Sequence, residues 1–475
     1  MNHTPIFMNK IGRSWLVIVG LLLLLASTGM VSASAVMNAA QPTALVRIDL
    51  QNNADLEGIA AAGVNIYAQL FRSDGGAYVL AAVNPTQQAL LSQHGYIQQL
   101  LDRDTQNQEY YLVYAHRPVD LEQARSLVTF LAEDYRQALI RATPSQAEQL
   151  PPLGIELRQL ILHPIVLPSS GQSAVIPEVI TPDPLVAEMI AQVKSTTVNT
   201  YDGNLSGEWP VNIGGTPFTI ATRYTSTKSP IQKATQFTYE HFQSLGLPVA
   251  YHQYKLSGSG RKSNVIAEQT GLTEPGRIFL ITAHLDDTSQ RATRKAPGAD
   301  DNASGSTAVM IAADILSQYD FGCTIRYALF TGEEQGLVGS YYYARDAASR
   351  GDNIEGVLNL DMISYNKDGN PILDLHTRPG NADDLAIANL FADVVSAYNI
   401  NLTPNIFQDA PYYSDHASFW EFGFPAIIGI EDDHDFTPYY HTTQDKLSTL
   451  NVTYFTEFVK AAVGTFAHMS CLLDQ

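Results

Sequence analysis

Positive charge is scarce in this chain: 28 lysines and arginines stand against 48 aspartates and glutamates, a formal net charge of -20. Phosphate backbones repel such a surface, which excludes nucleic acid as a partner. Cysteine is scarcer still, with only Cys323 and Cys471. Neither lies near the N-terminus, so a lipid anchor through cysteine is excluded. The pair could form a disulfide in an oxidising compartment or stand as two buried thiols. Beyond the first 35 residues no apolar run is long enough to span a bilayer, and no internal repeat is visible. Also missing are the His-Glu-x-x-His of single-zinc proteases and the Gly-x-Ser-x-Gly elbow of serine hydrolases. What remains is 475 residues with 45% hydrophobic and 16% charged content, a globular composition sufficient for two or three domains.

The first 35 residues have the order of a secretory signal peptide. Lys10 and Arg13 precede an apolar run from Trp15 to Ala26, and Ala33-Ser34-Ala35 supplies a small-x-small cleavage site. A secreted, extracellular protein is therefore expected, free of the membrane once the signal is removed. Residues 36–150 read as an N-terminal α+β module. Its first part alternates β-α-β-β-α-β with strands at 44–50, 64–71, 77–83 and 96–101, the order of a ferredoxin-like fold. Residues 119–148 read as mainly helical. Prolines at 151, 152, 164, 168, 177, 182 and 184 then mark 151–180 as an exposed linker open to proteolysis. The module holds no chemical constellation and is expected to act as a pro-segment, in folding or inhibition. From 181 to 475 short apolar strands alternate with helices, which predicts an α/β catalytic domain around a mainly parallel sheet.

The chemistry gathers where those strands end, the edge at which open α/β sheets bind ligands. One strand runs into Ala283-His284-Leu285-Asp286-Asp287, a second into Thr331-Gly332-Glu333-Glu334-Gln335-Gly336, and a third into Leu360-Asp361-Met362. His284 and Asp286, two apart in extended chain, face one side, and a metal-binding imidazole gives its other N–H to such a carboxylate. Asp300-Asp301, bounded by Gly298 and Gly305, precede a helix; they read either as helix-capping residues or as a carboxylate that bridges two cations. His441 adds a second imidazole. Imidazole and carboxylate donors suit Zn²⁺, with Mn²⁺ or Co²⁺ as alternative occupants. Two histidines and three acids exceed what one catalytic zinc takes, and with one carboxylate bridging they serve two ions per chain.

These motifs, in this order, resemble the co-catalytic dizinc aminopeptidases of the bacterial leucyl aminopeptidase type, over residues from about 180 to 475. The resemblance implies a zinc exopeptidase-like fold and a metallo-aminopeptidase acting on the N-termini of peptides or proteins. Met362, Phe407, Phe424, Phe436, Tyr439 and Tyr440 near the motifs favour a large apolar N-terminal residue, and a monomer is expected. It implies Asp301 as the bridge, Glu334 and His441 on one zinc, and His284 and Asp361 on the other. Glu333 becomes the general base and Asp286 the support of His284. A tyrosine near Ser414-Asp415-His416 assists the reaction in such proteins, which leaves Tyr412 or Tyr413 for that role. A cysteine pair of some relatives is replaced here by Asp409 to Tyr413. The alternatives are another exopeptidase or a glutaminyl cyclase-like enzyme on the same scaffold, a serine hydrolase using Ser414-Asp415-His416, or a non-catalytic binding module.

Overall fold

The computed structural model describes residues 43–473, apart from 53, 73–74, 167–175 and 178. The signal-peptide reading of 1–35 lies outside the described residues. The chain opens with β1 (Ala44–Leu50), α1 (Ala54–Ala61), β2 (Asn65–Phe71), β3 (Ala77–Val83), α2 (Pro85–Gln93) and β4 (Gln98–Asp102). The strands form an antiparallel sheet of order β2-β3-β1-β4. Asn84 and Gln87 close a capping box around Pro85, which starts α2 where the sequence signals it.

The next stretch departs from its expected helices. It contains β5 (Tyr110–Ala115), α3 (Pro118–Ala124), β6 (Thr129–Asp134), β7 (Gln137–Arg141), α4 (Pro144–Ala147) and β8 (Ile155–Leu160). Its antiparallel sheet has the order β6-β7-β5-β8. First and third strands are central and second and fourth lie at the edges, as in the first sheet. Residues 43–160 thus hold one topology twice, a duplication with no visible trace in the sequence. The helical reading of 119–148 fails because β6 and β7 are short and charge-rich, and their pairing with β5 overrides local propensity. The linker reading of 151–180 gives way over 151–160, and the module boundary at 150 moves with it: Pro151 is buried and β8 is an edge strand of the second sheet. The two sheets share a core to which Leu45, Leu70 and Leu80 contribute from one side and Tyr110, Leu139 and Leu160 from the other.

The remaining chain begins with α5 (Pro184–Gln192), α6 (Ser195–Leu205), a small hairpin of β9 (Val211–Ile213) and β10 (Thr216–Phe218), and α7 (Ser229–Ser244). Then follow β11 (Val249–Leu256), β12 (Gly260–Gln269), β13 (Glu274–His284), α8 (Gly305–Leu316), β14 (Cys323–Phe330), α9 (Val338–Arg350) and β15 (Asn353–Leu360). The last elements are β16 (Ile372–Thr377), α10 (Ala382–Ala397), β17 (Thr403–Gln408), α11 (His416–Glu421), β18 (Ala426–Glu431) and α12 (Val452–Met469). Eight strands form one sheet of order β11-β12-β14-β13-β15-β18-β16-β17. It is mixed and not purely parallel: β11-β12, β12-β14 and β16-β18 run antiparallel beside four parallel pairs. Half-exposed β11 lacks the continuous apolar run by which buried parallel strands are recognised.

Alternation along β13 divides the core. Phe279, Ile281 and Ala283 face the layer of α8, α10 and α12, while Ile278 and Leu280 face α9 and α11. Cys323 and Cys471 form a disulfide that ties the start of β14 to the segment after α12, across 148 residues. No helix among the described residues is long and apolar enough to cross a membrane.

Candidate metal centre

β13 lies between β14 and β15 and runs parallel to both, so the three strands end at one edge. His284 pairs with Phe330, which sets it beside the turn at 331–337. Thr282 pairs with Asn359, which brings His284 level with Asp361. Asp301 comes from the wide turn Ala299–Ser304 that leads into α8. Gly298 opens that turn at φ +49°, where a Cβ would stand 2.3 Å from the carbonyl oxygen of Asp301. The Asp301–Asn302 peptide is cis, and Met362 and His441 occupy the left-handed region at φ 51° and 54°. The left-handed backbone of Met362 and His441 is of the strained kind that concentrates at functional sites.

The structure brings the five sequence-selected residues together. His284 Nε2 lies 3.1 Å from Asp361 Oδ1 and 3.2 Å from Asp301 Oδ1. His441 Nε2 lies 3.1 Å from Asp301 Oδ2 and 3.1 Å from Glu334 Oε2. Two clusters, His284–Asp301–Asp361 and Asp301–Glu334–His441, therefore share one carboxylate, each oxygen of which faces a different imidazole. Donors about 2.0–2.1 Å from a tetrahedral zinc stand about 3.3 Å apart, close to these separations. Apart from that approach of His441 Nε2 to Oε2, neither oxygen of Glu334 has a hydrogen-bond partner among the described residues. The donor set fits zinc in both clusters.

Electrostatics point the same way. Burial pushes Glu334 up to about 8, against the pull of His441, and raises Glu333 and Asp361 against the pull of His284. Burial also opposes the charge of Asp301, but hydrogen bonds from His284 and His441 outweigh it and hold that carboxyl below the usual range. Buried carboxylates at this density are costly without cations beside them. Glu333 is 4% exposed, in the field of His284, Glu156, Glu334 and Asp361.

The supports differ in part from expectation. His284 Nδ1 meets the backbone carbonyl of Asp286 at 3.1 Å, while the Asp286 carboxylate stands 3.8 Å away. That carboxylate instead accepts from Gly332 N, Glu333 N and Thr225 Oγ1, tying the β13 end to the turn after β14. Ser414 Oγ donates to Asp361 Oδ2 at 2.6 Å and accepts from Asn359 Nδ2. His416 Nε2 bonds the carbonyl of Pro411. Ser414 and His416 are thus committed elsewhere, which removes the serine-hydrolase alternative. Of the two tyrosines, Tyr413 packs with Met362, Ile428 and Ile430, whereas Tyr412 lies under the Arg158 guanidinium.

One contributor escaped the sequence reading altogether. The second N-terminal sheet covers the site. The carbonyl of Pro151 accepts from His441 Nδ1 at 2.6 Å, Gln159 N donates to Gly336 O at 3.0 Å, and Glu156 bonds the Tyr440 hydroxyl. Gly336 has φ +109°, and a Cβ there would stand 2.6 Å from Gln159 N, so β8 sits against bare backbone. His116 stacks on Phe436, 3.6 Å from both Glu156 Oε1 and Asp433 Oδ1, and Arg158 pairs with Glu421 in a buried ion pair. None of the five residues is more than 6% exposed. Nothing in 151–160 carries a metal-binding pattern, so only the fold reveals this contact.

Residues 264–465, which hold all five, match the model of Peptidase family M28. The resemblance read from the motifs is thus met by an independent comparison over these residues. Leucine aminopeptidase 1 of Trichophyton rubrum is 34% identical over 207 residues, covering 40% of this chain and 55% of its own length. A "Probable zinc metalloprotease" of Pyrenophora tritici-repentis is 30% identical over 233 residues, covering 42% and 47%. The chain spans about half the length of these curated relatives. Among solved structures, the LapA aminopeptidase of Legionella pneumophila shares the fold, with a TM-score of 0.59 at 20% identity. It covers 77% of this chain and 99% of that one.

Proposed function

We propose that the chain is an exported metallo-aminopeptidase, active with two zinc ions, made with its active site covered by residues 43–160. One observation carries the reading: Asp301 divides its two oxygens between His284 and His441, the arrangement a dinuclear centre requires. In this reading His284 and Asp361 hold one zinc, and Glu334 and His441 the other. The zinc ions, when bound, supply Lewis acidity toward the peptide carbonyl and bring a water's pKa near neutrality. Glu333 acts as the general base: it takes the proton of the attacking water at its carboxylate and returns it to the leaving amine. Its burial supports the role, since desolvation raises the proton affinity of the carboxyl and so favours uptake of the water's proton.

The apolar cluster of Met362, Tyr413, Ile428, Ile430, Phe436 and Tyr440 supports a large apolar N-terminal residue in the substrate. Tyr114, from the covering sheet, packs into the same cluster. The two ferredoxin-like modules then serve as a pro-segment, and the 161–183 stretch is where proteolysis releases them. Export rests on the signal-like N-terminus, and the Cys323–Cys471 disulfide suits an oxidising compartment.

A substrate panel on zinc-loaded protein, before and after removal of residues up to about 180, tests the reading. Leucyl nitroanilide should be cleaved after removal, while N-acetylated peptides and N-terminal glutamine cyclisation should give no product. Cleavage that ignores the free amine, or pyroglutamate formation, would overturn it.

A further inference from the structure

Two buried carboxylates that touch no imidazole bind backbone on either side of the shared Asp301. Asp445, four residues beyond His441, accepts from Asp300 N through Oδ1 and from Asp301 N through Oδ2, both at 3.0 Å. Asp300 in turn accepts through Oδ1 from Ser364 N at 3.0 Å, Ser364 Oγ at 2.6 Å and Tyr365 N at 3.1 Å. Ser364 lies three residues beyond Asp361. The carbonyl of Asp300 accepts from Ser304 Oγ, which itself accepts from Ile363 N. Asp300 and Asp445 are 0% and 2% exposed.

We infer that Asp300 and Asp445 are positioning residues that fix where the bridging carboxylate stands relative to the two clusters. The three loops bearing Asp361, Asp301 and His441 come from distant parts of the chain, and no strand pairing locks them together beyond the sheet edge. Asp445 clasps the His441 loop to the Asp301 turn, and Asp300 clasps that turn to the Asp361 loop. Both clasps run from a buried carboxyl to backbone N–H groups at 3.0–3.1 Å, and together they join three segments that the chain leaves far apart. A carboxylate buried without a cation of its own is a poor choice for cohesion alone. Its two equivalent acceptors are what Asp445 needs here, since they meet two adjacent N–H groups pointing the same way. An asparagine would turn one donor against a donor.

The inference rests on the metal reading above and is tested by zinc affinity in the full chain. Metal-free wild type, Asp445→Asn, Asp300→Asn and Ser364→Ala are titrated with zinc against a chelator, with melting temperature recorded with and without zinc. Loss of a residue that orients ligands typically costs 10- to 100-fold in metal affinity. That range is expected for the two aspartate variants, with a several-fold loss for Ser364→Ala. The latter removes one hydroxyl and keeps the fold available for measurement if the aspartate variants do not fold. The rise in melting temperature on adding zinc should shrink in step. A purely structural role predicts an equal fall in melting temperature with and without zinc and an unchanged affinity, which would overturn the inference. Wild type that binds no zinc would instead overturn the metal reading itself.

Discussion

His441 and Pro151, 290 residues apart in sequence, meet at 2.6 Å through an imidazole Nδ1 and a main-chain carbonyl. His284 makes the equivalent contact within its own loop, to the carbonyl of Asp286. A hydrogen bond at Nδ1 fixes the tautomer and leaves Nε2 free to face a metal. One histidine therefore draws its orientation from the catalytic body, the other from the N-terminal half. Releasing residues 43–160 opens the site and also removes the partner of His441, so zinc affinity in the His441 cluster should fall by about 10- to 100-fold. Isothermal titration before and after cleavage measures it, with the His284 cluster as the internal reference.

Glu333→Gln should retain zinc and lose turnover by on the order of 10²–10⁴-fold, the usual contribution of general acid–base catalysis. Zinc analysis beside kcat on leucyl nitroanilide decides it; near-normal turnover would remove Glu333 from the reaction.

Asp301→Asn and Glu334→Gln should differ in kind. Asp301 faces both imidazoles and Glu334 only one. The first variant should lose metal from both clusters and the second mainly from the His441 cluster. Equal losses in the two would argue against a shared carboxylate.

The hold of the covering sheet should depend on pH. Burial disfavours a charged His116, but Asp433 and Glu156 outweigh burial and raise its pKa above 6.5, and hydrogen bonding to His116 is the main cause that lowers Asp433 to about 2. A group whose pKa rises on folding contributes fully below its unfolded value and loses that contribution as pH climbs through the folded one. The sheet should therefore hold most firmly at mildly acidic pH and loosen above about 6.5. Hydrogen exchange across β8 as a function of pH would reveal this, and His116→Gln should flatten the profile. Exchange that slows as pH rises, after correction for intrinsic rates, would contradict it.

How legible this was depended on how local each signal is. The His284, Asp301, Glu334, Asp361 and His441 motifs stand at strand ends, where a buried apolar run gives way abruptly to acid and imidazole, and such a change is visible residue by residue. Strand β1 and helix α12 were equally plain, with their alternating and helical apolar spacing. The second N-terminal sheet is not, because β6 and β7 are short and joined by a tight turn at Tyr135 and Arg136, with Glu133 and Asp134 closing β6. Their strand character comes from pairing with β5. Proline suits an exposed linker, which is what the sequence suggests for Pro151, and its burial against His441 belongs to contacts that no spacing encodes. The roles of Asp300 and Asp445 are hidden for a like reason: each accepts bonds from a loop more than 60 residues away.

The disulfide adds an asymmetry in how the molecule responds to being cut. It closes a ring from Cys323 to Cys471 that contains Glu334, Asp361 and His441, and ring closure of that length restrains the unfolded chain by about 5 kcal/mol. A nick inside the ring leaves both ends covalently tethered, so a protease that strikes a surface loop there removes nothing. A nick between 161 and 183 meets no such tether, since the chain has no other cysteine. A cut inside the ring therefore leaves the fragments joined, whereas in the proposed reading a cut between 161 and 183 separates the N-terminal sheets from the rest of the chain.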